Sequence, residues 1–217
     1  MNTLFDLDGT LLDHESASRT AARVFHQVYF SKLEDDFDVF LKRWKAIGSR
    51  YFSPQVPALR PDTVERRLRI CDIFGESLSD AEADRYFATY YEAYATNWTL
   101  FPDALACIER SAQLGAIGII TNGTAETQRG KLAKTGLIER FSVIIVSCEV
   151  GVAKPDRRIF DLATAAIGPD TRYVGDSFET DVQGSLSAGM IPVWLQRTPQ
   201  DGEVPEGVQV IHTLNEL

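Results

Sequence analysis

Six short apolar runs, rich in β-branched residues, constrain this chain more than any other feature. They are Thr3–Phe5, Ala116–Ile120, Val143–Val146, Arg172–Val174, Ile191–Trp194 and Val208–Ile211. Helical patterns separate the middle runs, at Pro102–Leu114, Ala125–Thr135, Pro155–Ile167 and Phe178–Ala188. Strands alternating with helices predict an α/β fold, a doubly wound parallel sheet covered on both faces. Pro102 and Pro155 suit first-turn positions of their helices, and Gly115, Gly136 and Gly189 suit C-terminal caps.

Residues 14–96 read differently, with helical patterns and no convincing strand. Phe40, Trp44, Ile47 and Tyr51 form one apolar stripe, and Phe87, Tyr91, Tyr94 and Trp98 form another. Ser53-Pro54-Gln55-Val56-Pro57 and Arg60-Pro61-Asp62 break the helices between them. The expected organisation is an α/β core of residues 1–13 and 97–217, interrupted by an all-helical insert of residues 14–96. The insert is nearly charge-balanced, while the core carries most of the net charge of −9. A lid over a negative substrate and ordinary solvated surface explain that imbalance equally well.

Composition narrows the function classes. A 217-residue chain that is 44% hydrophobic and 24% charged can bury a sizeable core. Its net negative charge argues against general affinity for nucleic acid or anionic membranes, both of which would repel it. Cys71, Cys107 and Cys148 are not spaced for a metal knuckle and fit a reducing compartment. The scattered His14, His26 and His212 do not make a zinc site. Met1-Asn2-Thr3 leads into Leu4-Phe5 with no basic start or long apolar stretch, and Ala116–Ile120 is too short to span a bilayer. The expectation is a soluble, cytoplasmic protein. Nothing in the sequence decides between monomer and homodimer.

The first strand runs into Asp6-Leu7-Asp8-Gly9-Thr10. Side chains alternate along extended backbone, so Asp6 and Asp8 can point one way while Leu7 enters the core. Two carboxylates so close repel unless a cation lies between them or one keeps a proton. Gly9 permits a sharp turn, which the Thr10 hydroxyl can fix. Alone, such a segment is as readily a surface turn; at the end of a buried strand, two carboxylates are costly without a role. Thr121-Asn122-Gly123 follows the second run, with a hydroxyl and backbone N–H groups suited to phosphate oxygens. Lys154-Pro155-Asp156 follows the third, and Gly175-Asp176-Ser177, with Asp181 beyond it, follows the fourth. In a parallel sheet all four segments emerge at the carboxyl edge, where such folds bind ligands. Asp13 and His14 lie just beyond the first segment, and Asp13 is read as a helix N-cap.

In this order the four segments resemble the haloacid dehalogenase (HAD) superfamily. Its first motif is matched by Asp6-Leu7-Asp8-Gly9-Thr10, its second by Thr121, its third by Lys154, and its fourth by Gly175-Asp176-Ser177 with Asp181. Leu100-Phe101-Pro102 and Ala188-Gly189-Met190 extend the likeness along the chain, and the helical insert looks like the family's C1-type cap. The resemblance implies a Rossmann-like core and a Mg²⁺-dependent phosphohydrolase. Asp6 would be the nucleophile, and Asp8 the general acid and then base. The metal would take the Asp6 and Asp176 carboxylates and the Asp8 backbone carbonyl. Thr121 and the Asn122 N–H would hold the phosphoryl group and Lys154 would balance its charge, with Ser177 and Asp181 supporting from behind.

The expected substrate is a small phosphorylated metabolite, a nucleoside monophosphate or a sugar or polyol phosphate. Arg43 and Arg50 lie two helical turns apart and could meet leaving-group oxygens, or could pair with Glu34, Asp35 or Asp36 on the surface. Trp44, Tyr51, Tyr86, Tyr90 and Tyr94 could stack on a nucleobase, or pack the insert. The alternatives are a phosphosugar mutase, which shares the four motifs, and a dehalogenase, which Asp8 disfavours because family dehalogenases lack an acid there. A non-catalytic binding module would be expected to have lost one of Asp6, Asp8, Lys154 or Asp176.

Overall fold

The computed structural model describes residues 1–51, 62–199 and 203–217. The chain divides into two compact units, Met1–Asp13 with Thr99–Leu217, and His14–Trp98. The first is a six-stranded sheet flanked by helices. Its strands are β1 (Asn2–Phe5), β2 (Ile117–Thr121), β3 (Val143–Val146), β4 (Thr171–Gly175), β5 (Ile191–Leu195) and β6 (Gln209–Ile211). Their order is β3-β2-β1-β4-β5-β6, and every neighbouring pair is parallel. This is the doubly wound sheet expected from the alternating pattern. β1 is central, with Phe5 aligned to Ile119 of β2 on one side and to Val174 of β4 on the other. Leu4, Phe5, Ile119, Ile120 and Val174 are wholly buried. Each contributes roughly 1.5–3 kcal/mol by leaving water, so the strand that leads into Asp6 is firmly anchored.

The helices of the two units follow in chain order. His14–Trp98 holds α1 (His14–Val28), α2 (Phe30–Leu33), α3 (Phe37–Tyr51), α4 (Asp62–Phe74) and α5 (Asp80–Thr96). The sheet unit holds α6 (Ala104–Leu114), α7 (Ala125–Lys134), the short α8 (Ser147–Val150), α9 (Arg157–Ile167) and α10 (Gln183–Ser187). No helix among the described residues is long and apolar enough to cross a membrane.

Both proline-led helix starts come later than the sequence predicts. Asp103 and Asp156 occupy the N-cap positions of α6 and α9, leaving Pro102 and Pro155 outside the helices. At α9 the reason is visible: the Asp156 side chain accepts from the Arg158 N–H, and a capping carboxylate fixes a helix start more directly than a proline ring. The pattern at Phe178–Ala188 resolves into a π-helical turn, Phe178–Val182, followed by α10. Gly136 and Gly189 do adopt the left-handed conformation just past their helices.

The helical unit packs around aromatic side chains. Phe25, Phe40, Trp44, Ile47, Ile70, Phe87 and Tyr90 are buried in one cluster, with Tyr29, Tyr51, Tyr86, Tyr91 and Tyr94 packed against it. Ring pairs run through it: Phe25 lies 5.1 Å from Trp44, Trp44 lies 4.7 Å from Tyr90, and Tyr86 lies 4.7 Å from Phe74. Trp44 and Tyr90 therefore serve packing. Helix α5 starts from a capping box in which the Ser79 side chain accepts from the Glu82 N–H and Glu82 answers to the Ser79 N–H. The expected breaks at 53–57 and 60–61 lie outside the described residues.

Candidate active site

Strands β1, β2, β3 and β4 end at the same edge, and their trailing segments line a cavity of about 250 Å³. Its walls include Asp6, Asp8, Thr121, Asn122, Lys154 and Asp176, with Ser177, Thr180 and Asp181 beside them. Placement follows from strand order, because β1 lies between β2 and β4 and Asp6 is the first residue past β1. At Gly9, where φ is +84°, an added Cβ would come within 2.3 Å of an Asp176 carboxylate oxygen. At Gly175 an added Cβ would meet Asp181 at 2.4 Å. Glycine at these two positions lets three carboxylates approach the same point.

Lys154 ties the site together. Its Nζ donates to Asp6 Oδ1 at 2.6 Å, to Asp181 Oδ1 at 2.6 Å and to the Tyr173 hydroxyl at 2.9 Å, which uses all three ammonium hydrogens. The ammonium is only 3% exposed and its two carboxylates 8% and 1%. Burial raises the Asp6 pKa well above the carboxylate range, and neighbouring Asp181 and Asp176 push the same way against the Lys154 charge. Burial works against the Lys154 ammonium too, but Asp181 and Asp6 outweigh it and hold its pKa well above the usual lysine value. Burial likewise keeps the Tyr173 phenol protonated far above its ordinary pKa. Asp181 is engaged on both oxygens, Oδ1 by Lys154 and Oδ2 by the Ser177 N–H at 3.0 Å. A π-helical turn carries this residue, and such turns recur at functional sites.

Around β2 the structure adds one contact to the expected set and corrects another. The Asn122 side chain clasps the Lys154 peptide, accepting from its N–H at 2.9 Å and donating to its carbonyl at 3.0 Å. The Gly123 N–H, expected to face a phosphate, is taken by Ser147 Oγ at 3.0 Å. A second correction concerns Thr10: its buried hydroxyl finds no hydrogen-bond partner among the described residues. The turn is held by backbone instead, with the Gly9 N–H on the Leu12 carbonyl and the Leu11 and Leu12 N–H groups on the Leu7 carbonyl.

Sequence reasoning missed Gln128, Lys131, Tyr173 and Thr180. Lys131 Nζ reaches Asp8 Oδ1 at 2.8 Å and Oδ2 at 2.6 Å. Gln128, one turn earlier on α7, donates to Asp8 Oδ2 at 3.0 Å and to Thr121 Oγ1 at 2.5 Å. The available signal was spacing: Gln128 stands four residues before buried Leu132 and three before Lys131, so it shares a face with each.

Arg43 and Arg50 are not among the residues lining the cavity. Arg43 forms an ion pair with Asp35 at 2.9 Å. Arg50 donates to Asp72 at 3.0 Å, where the Tyr51 hydroxyl also donates. Both guanidiniums thus answer carboxylates within the helical unit, as charges on a solvated helix face do.

The donor set suits a hard divalent cation. Oxygens of Asp6, Asp176 and Asp181 lie within 4.8 Å of one another, and carboxylate oxygen is what Mg²⁺ prefers. Asp181 already accepts hydrogen bonds on both oxygens, and the missing Cβ of Gly9 leaves space beside Asp176, so Asp6 and Asp176 fit such a cation with Asp181 beside them.

Comparison with known proteins agrees with this geometry. Residues 3–189 match the haloacid dehalogenase-like hydrolases, and the chain belongs to that family. It is 30% identical to a phosphoserine phosphatase of Thermus thermophilus, covering 95% of this chain and 94% of that protein. It is 34% identical to the pyrimidine 5'-nucleotidase YjjG of Escherichia coli, covering 64% of this chain and 62% of that protein. The crystal structure of the HAD-hydrolase YfnB from Bacillus subtilis, bound to magnesium, superposes with a TM-score of 0.79 at 25% identity, covering 99% of this chain and 95% of that one. The chain is an enzyme of this hydrolase family, whose relatives include phosphatases and nucleotidases.

Proposed function

We propose that the protein is a Mg²⁺-dependent phosphohydrolase that cleaves a small phosphate monoester through an aspartyl-phosphate on Asp6. The observation that carries this reading is the joint presence of Asp6, Asp8, Thr121, Lys154 and Asp176 around one cavity at the sheet edge. Asp6 attacks phosphorus, and the ester oxygen leaves with a proton from Asp8. Asp8 then takes a proton from water as water attacks the acyl phosphate, which returns Asp6 to its carboxylate. Lys154 holds Asp6 in place and offsets negative charge around the transferring group. Thr121 donates its hydroxyl hydrogen to a phosphoryl oxygen. Asp6 and Asp176 would hold Mg²⁺, which supplies charge neutralisation for the phosphoryl oxygens. Asp181 and Ser177 keep Lys154 in position.

The substrates to try first are phosphoserine and pyrimidine nucleoside 5'-monophosphates, on which the named relatives act, with sugar phosphates alongside. We assign residues 14–96 the cap role that the resemblance implies, selection of the leaving group.

The test is turnover of an aryl phosphate by purified protein. Activity should vanish with EDTA and return with Mg²⁺, and Asp6→Asn should remove it while leaving the fold intact, because an amide is a very poor nucleophile. Full activity in metal-free buffer, or a folded Asp6→Asn variant near wild-type turnover, would sink the reading.

A further inference from the structure

Helix α7 presents two polar side chains to the site from outside the four motifs. Lys131 and Gln128 are 3% and 1% exposed, unusual for residues of these types on a short helix. Their bonds form a closed chain. Lys131 Nζ contacts both oxygens of Asp8 and donates to Gln128 Oε1 at 2.8 Å. An ammonium only donates, so the Gln128 oxygen must face Lys131 and its amide NH₂ must face Asp8 and Thr121. Thr121 Oγ1 therefore accepts from Gln128 at 2.5 Å, which leaves the hydroxyl hydrogen available to another acceptor. The carboxylate and hydroxyl that this bracket joins are the ones expected to move the proton and to hold the phosphoryl group. Gly123 is part of the arrangement, because a Cβ there would crowd Gln128 Cγ at 3.1 Å.

The geometry points to Gln128 and Lys131 as positioning residues. Lys131 aims the Asp8 carboxylate at the leaving oxygen, and Gln128 turns the Thr121 hydroxyl hydrogen toward the phosphoryl group. Neither touches substrate; each acts through the residue it holds. This assignment rests on the phosphohydrolase reading above.

The experiment compares kcat/KM, with Mg²⁺ present, for phenyl phosphate and 2,4-dinitrophenyl phosphate. The first releases a group that needs a proton, and the second a group that leaves as a stable anion. Because kcat/KM reports events up to the first irreversible step, it isolates the proton donation by Asp8. Lys131→Met should lower kcat/KM for phenyl phosphate by about ten- to a hundredfold more than for 2,4-dinitrophenyl phosphate, part of the full general-acid effect. Lys131→Arg, which keeps a cation against the carboxylate, should restore most of the difference. Should Lys131→Met fail to fold, Gln128→Leu carries the comparison: losing the Thr121 contact should slow both esters, and losing the Asp8 contact should add a further loss on phenyl phosphate alone. An equal loss on both substrates, no loss, or a gain would overturn the assignment. Failure of the underlying reading looks different: the wild type would then lack Mg²⁺-dependent turnover of either ester.

Discussion

The two units of this protein handle charge in opposite ways. In His14–Trp98 several ion pairs lie at or near the surface, although Arg69 is buried, with its guanidinium against the Trp44 ring. Arg67 meets Asp80 and Asp84 and Arg50 meets Asp72, each pair with at least one well-exposed partner, and Arg43 meets Asp35 where both are half-buried. Exposed pairs of this kind are typically worth about 0.2–1 kcal/mol and are replaceable. At the sheet edge, Lys154, Asp6 and Asp181 are nearly excluded from water. Such a cluster costs several kcal/mol per ion in desolvation, and apolar residues of similar volume would often be at least as stable. The exposed pairs of the helical unit serve solubility and orientation, whereas the sheet edge keeps charge where stability alone would remove it. On the proposed mechanism, catalysis is the reason the second arrangement persists.

Lys154→Met strains this contrast most. It leaves Asp6 and Asp181 buried side by side without their cation, so one must take up a proton or stay uncompensated, and unfolding in urea with EDTA present should show a loss of about 3–5 kcal/mol at neutral pH. Turnover of an aryl phosphate should fall by about a hundred- to a thousandfold. Adding Asp181→Asn removes one stranded charge and should recover part of the stability but none of the activity. A Lys154→Met protein as stable as the wild type would show that the three groups are not interdependent, and the contrast would lose its basis.

An intermediate case lies in the sheet unit, away from the cavity. Asp103 accepts from Arg197 at 2.9 and 3.1 Å, from the Thr213 hydroxyl at 2.8 Å and from the Leu214 N–H at 2.9 Å. Arg197 also donates to the Thr10 carbonyl at 2.8 Å and lies over the Phe101 ring, joining the first motif to the C-terminal segment. Burial alone would raise the Asp103 pKa, but these four hydrogen bonds and the Arg197 charge outweigh it and hold it at about 2. A depressed carboxylate pKa means that the unfolded chain binds the proton more readily than the native state. The stabilisation is therefore complete above the ordinary aspartate value of about 3.9 and is lost as pH falls toward about 2. With Arg197 partly open to solvent, its size is on the order of 1–2 kcal/mol. Asp103→Asn should be less stable than the wild type by that amount at pH 7, and the gap should close between about pH 4 and pH 2. A gap that stays constant with pH would mean that shape, not charge, holds this junction.

Legibility in the sequence follows the same division. The parallel sheet was readable because buried strands show as β-branched runs and the helices between them keep their own period. Asp6, Asp8, Thr121, Lys154 and Asp176 could be gathered because each follows a strand, and parallel strands end together. What stayed hidden depends on long-range partners. Lys131 and Asp8 are 123 residues apart, and no local pattern joins them. The π-helical turn that carries Asp181 is one turn within a longer helical pattern, and nothing local in that pattern marks it. The Thr10 hydroxyl was assigned to a turn that backbone groups hold by themselves. Pro102 and Pro155 suggested helix starts that Asp103 and Asp156 set instead.

The smallest expected effect tests the other side of the contrast, at the two arginines first considered for the leaving group. Arg43 is 39% exposed and meets Asp35 through an ion pair, although its Nε finds no hydrogen-bond partner among the described residues. Arg50 is 67% exposed and shares Asp72 with the Tyr51 hydroxyl. Each guanidinium pays side-chain entropy to hold its pair while water screens the attraction, so the net gain is small. Arg43→Ala and Arg50→Ala should each shift the unfolding free energy by less than about 1 kcal/mol, and any loss should shrink as salt is raised. Neither residue lines the cavity, so kcat and KM for an aryl phosphate should stay within about twofold of wild type. The discriminating measurement is KM for the best substrate from a phosphate-ester screen. If the double alanine variant raises that KM while sparing the aryl phosphate, these arginines leave their carboxylates to bind substrate, and the helical unit's charges are functional as well. If KM is unchanged for both esters, charge in His14–Trp98 serves the surface and specificity rests on other residues.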